Sequence, residues 1–252
     1  MKFLMFFLLS FNLNCADSLE VKNLRNAVYK ISNTNKNNIE FNNKKIAKMQ
    51  INFFLKSISN EIYIKIKNTG SKINLKQVEK IVEASYLNSW IFVDLGKNHI
   101  DRFEYIIQMA KDESCFNIDT ITKWKKGQYI PSLDKYVNNN TIDYGAWQIN
   151  KMHRKNIRKL NLLQNNNYLN FKINKIKTIY DVMDVKTNCA ARCLIETDRK
   201  KMGMKWKHIR DNNFKIWLHK KIVKMEDQDL YDIKLIEKYY NNKPLKTYSL
   251  EN

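Results

Sequence analysis

Apolar residues recur every three or four positions along most of the chain, which is the pattern of amphipathic helices packed on a core. Only 5 glycines and 2 prolines interrupt the 252 residues, which is too few for a many-stranded sheet with its many turns. The sequence therefore predicts a mainly α protein. The segments with helical spacing are 19–31, 46–58, 75–90, 100–112, 150–160, 176–183, 187–202 and much of 211–252.

Three segments between the predicted helices lack this spacing. Residues 33–43 are polar and rich in asparagine, which indicates a loop. Residues 61–67 (EIYIKIK) alternate apolar and polar positions, so they predict a single strand that ends at the turn signal of residues 68–71. Residues 122–140 predict a loop with Trp124 near its start and Pro131 in its middle.

The first residues have the pattern of a secretory signal peptide. Lys2 is followed by an apolar run from Phe3 to Phe11 and then by a polar segment that contains Cys15 and Ala16. The run is too short to span a bilayer, and no other segment is apolar enough to do so. We therefore expect residues 1–16 to be removed and the protein to reach the periplasm or cell envelope. The sequence leaves two forms of processing open, which are lipid anchoring through Cys15 and simple cleavage near Ala16. If the segment is not a signal peptide, the alternative is a buried N-terminal helix.

The formal net charge of +20 predicts an affinity for polyanions. Nucleic acid is the usual partner of such a basic protein inside the cell, but the predicted signal peptide argues against it. Outside the cytoplasm the candidates are cell-wall polymers with carboxylates and anionic membrane surfaces. A composition biased towards Lys, Asn and Ile is the alternative explanation of the charge.

The cysteines and histidines give no firm site. A disulfide from Cys115 to Cys189 or Cys193 would fix the segment after Glu113 to a neighbouring helix, and buried free thiols are the alternative. A bridge between Cys189 and Cys193 would be strained on one helix. The four histidines are scattered without the spacing of metal ligands, so we expect no metal. They are His99, His153, His208 and His219.

Two short motifs carry the candidate chemistry. The first is DESCFN at 112–117, and the second is IDYGAWQIN at 142–150. Glu113 continues the helical row of Ile106 and Met109, so we expect it to face the core, where apolar surroundings keep a carboxyl group protonated. Asp143 precedes a Tyr-Gly turn or short hairpin, and we expect it to be solvated and ionised. A protonated acid beside a second carboxylate is the equipment for cutting a glycosidic bond.

The two motifs, in this order, resemble the lysozyme-like superfamily, and residues from about 80 to 210 share the resemblance. The similar families are the bacterial lytic transglycosylases and the specialised peptidoglycan hydrolases of secretion systems. The resemblance implies a lysozyme-like helical catalytic domain with a small hairpin or turn region at the cleft. It implies no cofactor. Phe116 and Trp147 are the expected apolar walls, and residues 122–140 are expected to lie over the cleft.

The resemblance also implies residue roles. Glu113 is the expected general acid and then base, and Asp143 is the expected second carboxylate. The reaction is cleavage of the β-1,4 bond between N-acetylmuramic acid and N-acetylglucosamine. The expected partners are peptidoglycan strands and an envelope machine such as a flagellum or secretion apparatus. The residues expected to contact substrate are Ser114, Tyr144, Trp147, Gln148 and Asn150, with Trp124 as a further aromatic candidate.

Three functional hypotheses remain from the sequence. The first is an enzyme, either a lytic transglycosylase that uses Glu113 alone or a muramidase that uses Glu113 and Asp143. The second is a non-catalytic relative that binds glycan or scaffolds a wall complex, because the family's Ala-Tyr-Asn-like cleft motif has no clean copy here. The third is a nucleic-acid binder without a signal peptide. The expected organisation is a signal peptide at 1–16, a helical accessory region at 17–78, the catalytic domain at 79–210 and a helical extension at 211–252.

Overall fold

The computed structural model describes residues 18–34, 38–91, 99–130, 135–150, 153, 156, 158–161, 176–201 and 211–240. The predicted signal peptide with Cys15 lies outside the described residues, as do most of the predicted helix 150–160, His208 and the residues after 240. Within the described part the protein is mainly α with two small antiparallel sheets, so the mainly α prediction is confirmed.

Seven α-helices account for most of the described chain. They are α1 (Leu19–Thr34), α2 (Ile39–Lys67), α3 (Leu75–Asn88), α4 (His99–Ser114), α5 (Val185–Lys201), α6 (Asn212–Asp227) and α7 (Ile233–Tyr240). Short 3-10 helices cover Ser89–Ile91 and Ile179–Met183. Most helices predicted from apolar spacing are found where the structure describes them. The exceptions are Ile179–Met183 and the end of the predicted helix 75–90, which form 3-10 helices, and Asn150, which lies in a strand.

The predicted strand at 61–67 is wrong, because these residues are the last turns of α2. Alternation would place Ile62, Ile64 and Ile66 on one face of a strand. In the helix, Ile62 and Ile66 lie one turn apart and are buried with Ile58, whereas Ile64 is 58% exposed. The segment fits both periodicities, and burial of one helical row against the core decides between them.

The predicted loop at 33–43 is also too long, because α2 begins at Ile39. Asn38 is its N-cap, with a side-chain oxygen that accepts a hydrogen bond from the backbone N–H of Phe41 at 3.2 Å. In the first turn Asn42 is buried and Asn43 is half-buried, whereas Ile39 and Phe41 are exposed. The polar composition of the segment therefore did not distinguish a loop from the start of a helix.

One hydrophobic cluster joins helices from the whole chain, with members from Leu24 on α1 to Ile236 on α7. Phe54 of α2 lies inside it, stacked on Tyr231 at a ring-centroid distance of 4.2 Å and tilted towards Phe103 at 5.6 Å. Burial of each such ring contributes about 1.5–3 kcal/mol. The N-terminal and C-terminal helices therefore pack against the central part of the chain through a shared core.

The larger sheet lies between α4 and α5 in the sequence. Its three antiparallel strands are β1 (Ile121–Trp124), β4 (Thr141–Tyr144) and β5 (Ile149–Asn150), in the order β1-β4-β5. Beyond β1 and β4 the chain continues into a two-stranded ribbon of β2 (Tyr129–Ile130) and β3 (Lys135–Tyr136). The predicted loop 122–140 is thus largely a β-hairpin, and Asp143 lies on a strand next to a turn.

A buried histidine near the start of α4 gives a pH prediction. His99 has no exposed surface and packs edge-on against the Tyr86 ring at 4.5 Å. Burial lowers the pKa of His99 from 6.5 to about 3, and the charge of Arg102 adds to the shift. Between these pH values the unfolded chain binds a proton that the native protein does not bind. Acid therefore stabilises the unfolded state, and stability falls as the pH falls below 6.5.

We expect this group alone to lower the free energy of unfolding by about 2 kcal/mol between pH 7 and pH 5. Urea unfolding of the wild type and of His99→Gln at both pH values measures it. The variant should lose about that much of the pH dependence, whatever its stability at pH 7. An unchanged pH dependence would show that His99 does not carry it.

Candidate functional site

Glu113 lies in the last turn of α4, on the row that includes the buried residues Ile106 and Met109. Its side chain is only 16% exposed. The chain then turns through Cys115 and Phe116, both with positive φ, and Phe116 is fully buried. The helical row therefore places the carboxyl group at the boundary between core and solvent, as its spacing predicts.

Asp143 is held by both neighbouring strands of the sheet. Asn150 lies directly opposite Asp143 on β5, and its amide Nδ2 donates to Asp143 Oδ1 at 2.7 Å. Trp124 pairs with Thr141, two residues before Asp143, so it is a diagonal neighbour on β1. Its indole Nε1 donates to Asp143 Oδ2 at 2.7 Å. The strand register thus fixes both carboxyl oxygens.

Asp143 is half-buried, so the expectation of a solvated side chain is wrong. Burial raises its pKa above the ordinary value, and the negative charge of Glu113 adds to the rise. The hydrogen bonds from Asn150 and Trp124 and the positive charge of Arg192 oppose it. The charges of Glu113 and Arg192 therefore both act on the Asp143 carboxyl group, and these three residues define the candidate site.

Arg192 of α5 is the central positive charge of this site. Its side chain is 6% exposed, and its Nη2 donates to Glu113 Oε1 at 3.1 Å. Nη1 donates to the carbonyl oxygen of Trp147 at 3.3 Å. Nε lies 3.0 Å from Glu196 Oε1, although the N–H bond is not aligned for a hydrogen bond. Glu113 thus faces a buried cation, and the expectation that it has purely apolar surroundings is wrong.

The charges continue from Arg192 along α5. Burial disfavours the charge of Arg192, but the carboxylates of Glu196 and Glu113 outweigh this effect and raise its pKa. Glu196 is 3% exposed and accepts a further bond from Arg199 Nη1 at 2.8 Å. Near these charges, burial lowers the pKa of His153 to about 4, and Arg199 and Arg192 add to this shift. Two carboxylates and two guanidiniums therefore form a balanced, largely buried network.

Asn188, one turn before Arg192, fixes the turn after Asp143. Its side chain is fully buried, and its Nδ2 donates to the carbonyls of Tyr144 at 2.9 Å and Val182 at 2.8 Å. Its Oδ1 accepts from the backbone N–H of Trp147 at 2.9 Å. The side chain therefore joins α5 to the sheet and satisfies three buried backbone groups.

The N-cap of α5 is Asp184. Its Oδ2 accepts from the backbone N–H and the hydroxyl of Thr187 at 2.9 and 2.8 Å. Because α5 begins at Val185, Asn188 lies inside the helix and not at its cap.

The residues missed by sequence reasoning share one signal. Asn188, Arg192 and Glu196 are four residues apart, so they form one row on α5. All three are buried, between apolar neighbours such as Ala191 and Cys193. The sequence therefore showed a row of polar residues at helical spacing among small and apolar neighbours, but not which residues this row contacts.

Gly145 allows the sheet and α5 to approach each other. Its φ is +75°, and a Cβ atom there would lie 2.5 Å from Asn188 Nδ2. Gly145→Ala should therefore lower the free energy of unfolding by about 3 kcal/mol or more, through backbone strain and lost Asn188 bonds. Gly127 has a similar φ of +80° with open space around it, so Gly127→Ala is the matched control at about 1–2 kcal/mol. Equal losses in urea unfolding would contradict a close contact at Gly145.

Trp147 was expected to contact substrate, and the structure contradicts this. Its side chain has no exposed surface, and its Nε1 donates to the carbonyl of Ile106 at 3.0 Å. Trp147 therefore links the turn after β4 to α4 as part of the core. Trp124 is half-buried and holds Asp143, as described above.

The other residues expected to contact substrate have structural contacts of their own. Gln148, with φ of +51°, is 9% exposed, and its amide donates to the Gly145 carbonyl at 2.7 Å. Ser114 Oγ donates back to the Ala110 carbonyl at 3.2 Å rather than to Glu113. Tyr144 is 5% exposed, with its ring edge-on to Tyr180 at 5.6 Å. Asn150 donates its side-chain hydrogen bond to Asp143, as described above.

The cysteines that the structure describes are free thiols. Cys115 is half-buried, and Cys189 and Cys193 are fully buried. Burial raises the pKa of the Cys189 thiol, which is 3.5 Å from the Ala84 carbonyl oxygen. Of the two alternatives from the sequence, the structure has buried thiols and not a bridge from Cys115.

A separate cavity of about 330 Å³ lies between α4 and α6. Glu104, Gln108, Lys215 and His219 contribute to its lining, and Glu113 and Asp143 do not. His219 Nδ1 is 2.9 Å from Glu104 Oε1, and burial raises the pKa of Glu104 while His219 opposes the rise. Glu104 is thus a second buried carboxyl group on α4, with a different partner from Glu113.

Across the described part of the chain, no cluster of three or more His, Cys, Asp or Glu side chains is suited to a metal ion. None of the helices in that part combines the length and apolar character needed to cross a membrane. In comparisons with known proteins, no protein-family model, curated protein or solved structure matches the chain. The site is therefore interpreted from its own residues and from the motifs that they form.

Proposed function

We propose that the chain is an exported, lysozyme-like enzyme that cleaves the β-1,4 bond between N-acetylmuramic acid and N-acetylglucosamine in peptidoglycan. The observation that supports this most is the pairing of two partly buried carboxyl groups from separate elements. Glu113 comes from the end of α4 and Asp143 from β4, and the negative charge of Glu113 contributes to the raised pKa of Asp143. Most glycoside hydrolases use two such groups at the bond that they cleave.

In the proposed mechanism, Glu113 donates a proton to the bridging oxygen as the glycosidic bond breaks. Arg192 binds Oε1 of Glu113, so Oε2 is the oxygen that carries this proton. The sugar's own 6-hydroxyl then attacks the oxocarbenium carbon, and its proton returns to Glu113. The product is an anhydro sugar, and no water is consumed. This is the lytic transglycosylase reaction.

The second enzymatic reading is a muramidase, and the fixing of Asp143 favours it. Trp124 and Asn150 donate hydrogen bonds of 2.7 Å to the two oxygens of Asp143, so the carboxylate is held in one orientation. A carboxylate with a fixed orientation suits attack on, or stabilisation of, the cationic carbon. Water would then complete the reaction, and the product would be a hydrolysed reducing end.

The non-catalytic reading is favoured by the contacts of Glu113 and its neighbours. Arg192 neutralises Glu113 in an ion pair, and the Trp147, Gln148 and Ser114 side chains bond to the protein itself. A wall-binding or scaffold protein would retain this network for packing alone. The enzymatic proposal therefore needs Glu113 to take up a proton on Oε2 while Oε1 keeps its hydrogen bond to Arg192.

The proposed location follows from the sequence of the first residues and from the charge. The apolar run Phe3–Phe11 supports export to the periplasm or envelope, with or without an anchor at Cys15. The charge of +20 supports binding to a wall polymer with carboxylates. A flagellum or secretion apparatus that needs local opening of the wall is the proposed partner machine.

Digestion of purified peptidoglycan by the purified protein tests the proposal. Soluble fragments analysed by mass spectrometry separate the two reactions, because an anhydro product is one water lighter than a hydrolysed one. Anhydro fragments support the transglycosylase, and reducing ends support the muramidase. Release of no fragment by a folded protein, together with binding to the polymer, would favour the non-catalytic reading.

A further inference from the structure

The hairpin beyond β1 and β4 carries exposed aromatic rings next to the candidate site. Tyr129 of β2 and Tyr136 of β3 lie directly opposite each other, with ring centroids 5.1 Å apart. Tyr129 is 44% exposed and Tyr136 is 66% exposed. A cross-strand tyrosine pair stabilises a two-stranded ribbon by about 0.5–1.5 kcal/mol, which explains the pairing. This stabilisation does not explain why both tyrosine rings face solvent.

The same hairpin is strongly basic. Between Asp119 and Asp143 the sequence contains four lysines and a single acidic residue, Asp134. Lys123, Lys125 and Lys126 are all exposed. Aromatic faces and lysine ammonium groups are therefore presented together on this hairpin.

Backbone and side-chain bonds connect this hairpin to the site. Gly127 N–H donates to the Val137 carbonyl at 2.8 Å, and Val137 N–H donates to the Gln128 carbonyl at 2.8 Å. Asn140 Oδ1 accepts from the backbone N–H of Lys126 at 2.8 Å. The hairpin follows β1, and Trp124, the last residue of β1, donates a hydrogen bond to Asp143. The segment is thus an ordered extension of the sheet that holds the second carboxylate.

We propose that the docking hairpin, residues 123–130 with 135–137, binds a glycan strand that carries carboxylates. Sugar rings pack on Tyr129 and Tyr136, and the lysines pair with the carboxylates of the peptides attached to the strand. This inference rests on the proposed function for the identity of the polymer. Charge complementarity selects this occupant, because a neutral glycan would need the tyrosines but not the lysines. Exposed ion pairs are individually weak, so the lysines act together and their effect is screened by salt.

Binding is best measured without cleavage, by co-sedimentation of the full-length Glu113→Gln protein with insoluble peptidoglycan. In this background, Tyr129→Ala/Tyr136→Ala should weaken binding about tenfold, because two stacking faces are lost. Tyr129→Phe/Tyr136→Phe keeps the rings and should keep the affinity. Tyr29→Ala is the matched control, since Tyr29 is a tyrosine 60% exposed on α1. Circular dichroism checks that each variant is folded.

The lysines are tested in the same assay. Lys123→Ala/Lys125→Ala/Lys126→Ala should weaken binding at low salt and make the remaining affinity nearly independent of salt. Chitin, a neutral amino-sugar polymer, should bind more weakly than peptidoglycan and respond to the tyrosine variants but not to the lysine variants. Wild-type affinity in the folded Tyr→Ala double variant would overturn the proposal, as would binding to peptidoglycan that responds only to the lysines.

The assay separates this inference from the proposed function. Binding through the hairpin by a protein that releases no fragments would leave the docking hairpin standing and remove the enzyme. Fragment release with binding unaffected by the tyrosine variants would leave the enzyme and remove the docking hairpin.

Discussion

Glu113→Gln is expected to reduce the rate of peptidoglycan cleavage by about 10²–10⁴-fold, which is the usual contribution of a general acid. Glutamine has the shape of glutamate, and its side-chain oxygen can still accept the hydrogen bond from Arg192. It cannot donate an acidic proton to the leaving oxygen. The measurement is the initial rate of soluble fragment release, with circular dichroism to confirm that the variant is folded.

Glu104→Gln is the matched control for this experiment. Glu104 is also a buried glutamate of α4, 4% exposed, but its partner is His219 and it lines the separate cavity. The control should retain activity, so that loss in Glu113→Gln alone reports on position 113. Equal fragment release by wild type and Glu113→Gln would remove Glu113 from the mechanism and with it the proposed enzyme.

Arg192→Met is expected to lower the free energy of unfolding by about 3–5 kcal/mol, which is the usual loss when one partner of a buried ion pair is removed. The arginine contacts Glu113 and Glu196, whose side chains are 16% and 3% exposed. Without it, both carboxylates lose their central counter-ion in a poorly solvated place. The bond to the Trp147 carbonyl is also lost. Urea unfolding at neutral pH measures the change.

Two further variants make this prediction specific. Lys56→Met breaks the ion pair of Lys56 and Glu20, whose side chains are 60% and 59% exposed, and should leave the free energy of unfolding nearly unchanged. Arg192→Met/Glu113→Gln removes the carboxylate that is left without a counter-ion, since Glu196 keeps Arg199, and should recover about 1–3 kcal/mol of the loss. An Arg192→Met protein within about 1 kcal/mol of the wild type would show that the buried network contributes little to stability.

The two carboxylates illustrate how far sequence reasoning reaches towards the site. The position of Glu113 at the core boundary follows from the helical row of Ile106 and Met109, which is local information. The environment of Glu113 does not follow, because Arg192 is 79 residues further along the chain. For Asp143, the turn after it was predicted, but the hydrogen bonds that hold it depend on strand register across β1 and β5.

The aromatic residues show a limit of a different kind. Trp147 and Trp124 both stand near a turn in the sequence, and composition alone cannot tell a buried indole from an exposed one. The structure places Trp147 in the core on the Ile106 carbonyl and Trp124 against Asp143. Each indole N–H found a buried acceptor, which only the packing of distant elements could supply.

The sequence by itself determined the mainly α class, the approximate positions of most described helices and the presence of two carboxylates at turn-flanked positions. These features follow from the spacing of neighbours within a few residues, which fixes the face that each element buries. Tertiary packing decided whether residues 61–67 were helix or strand, because their alternation fits both periods. It also decided that the row of Asn188, Arg192 and Glu196 meets the end of α4 and the turn after β4. Those contacts join residues 40 or more apart, and no local periodicity encodes them.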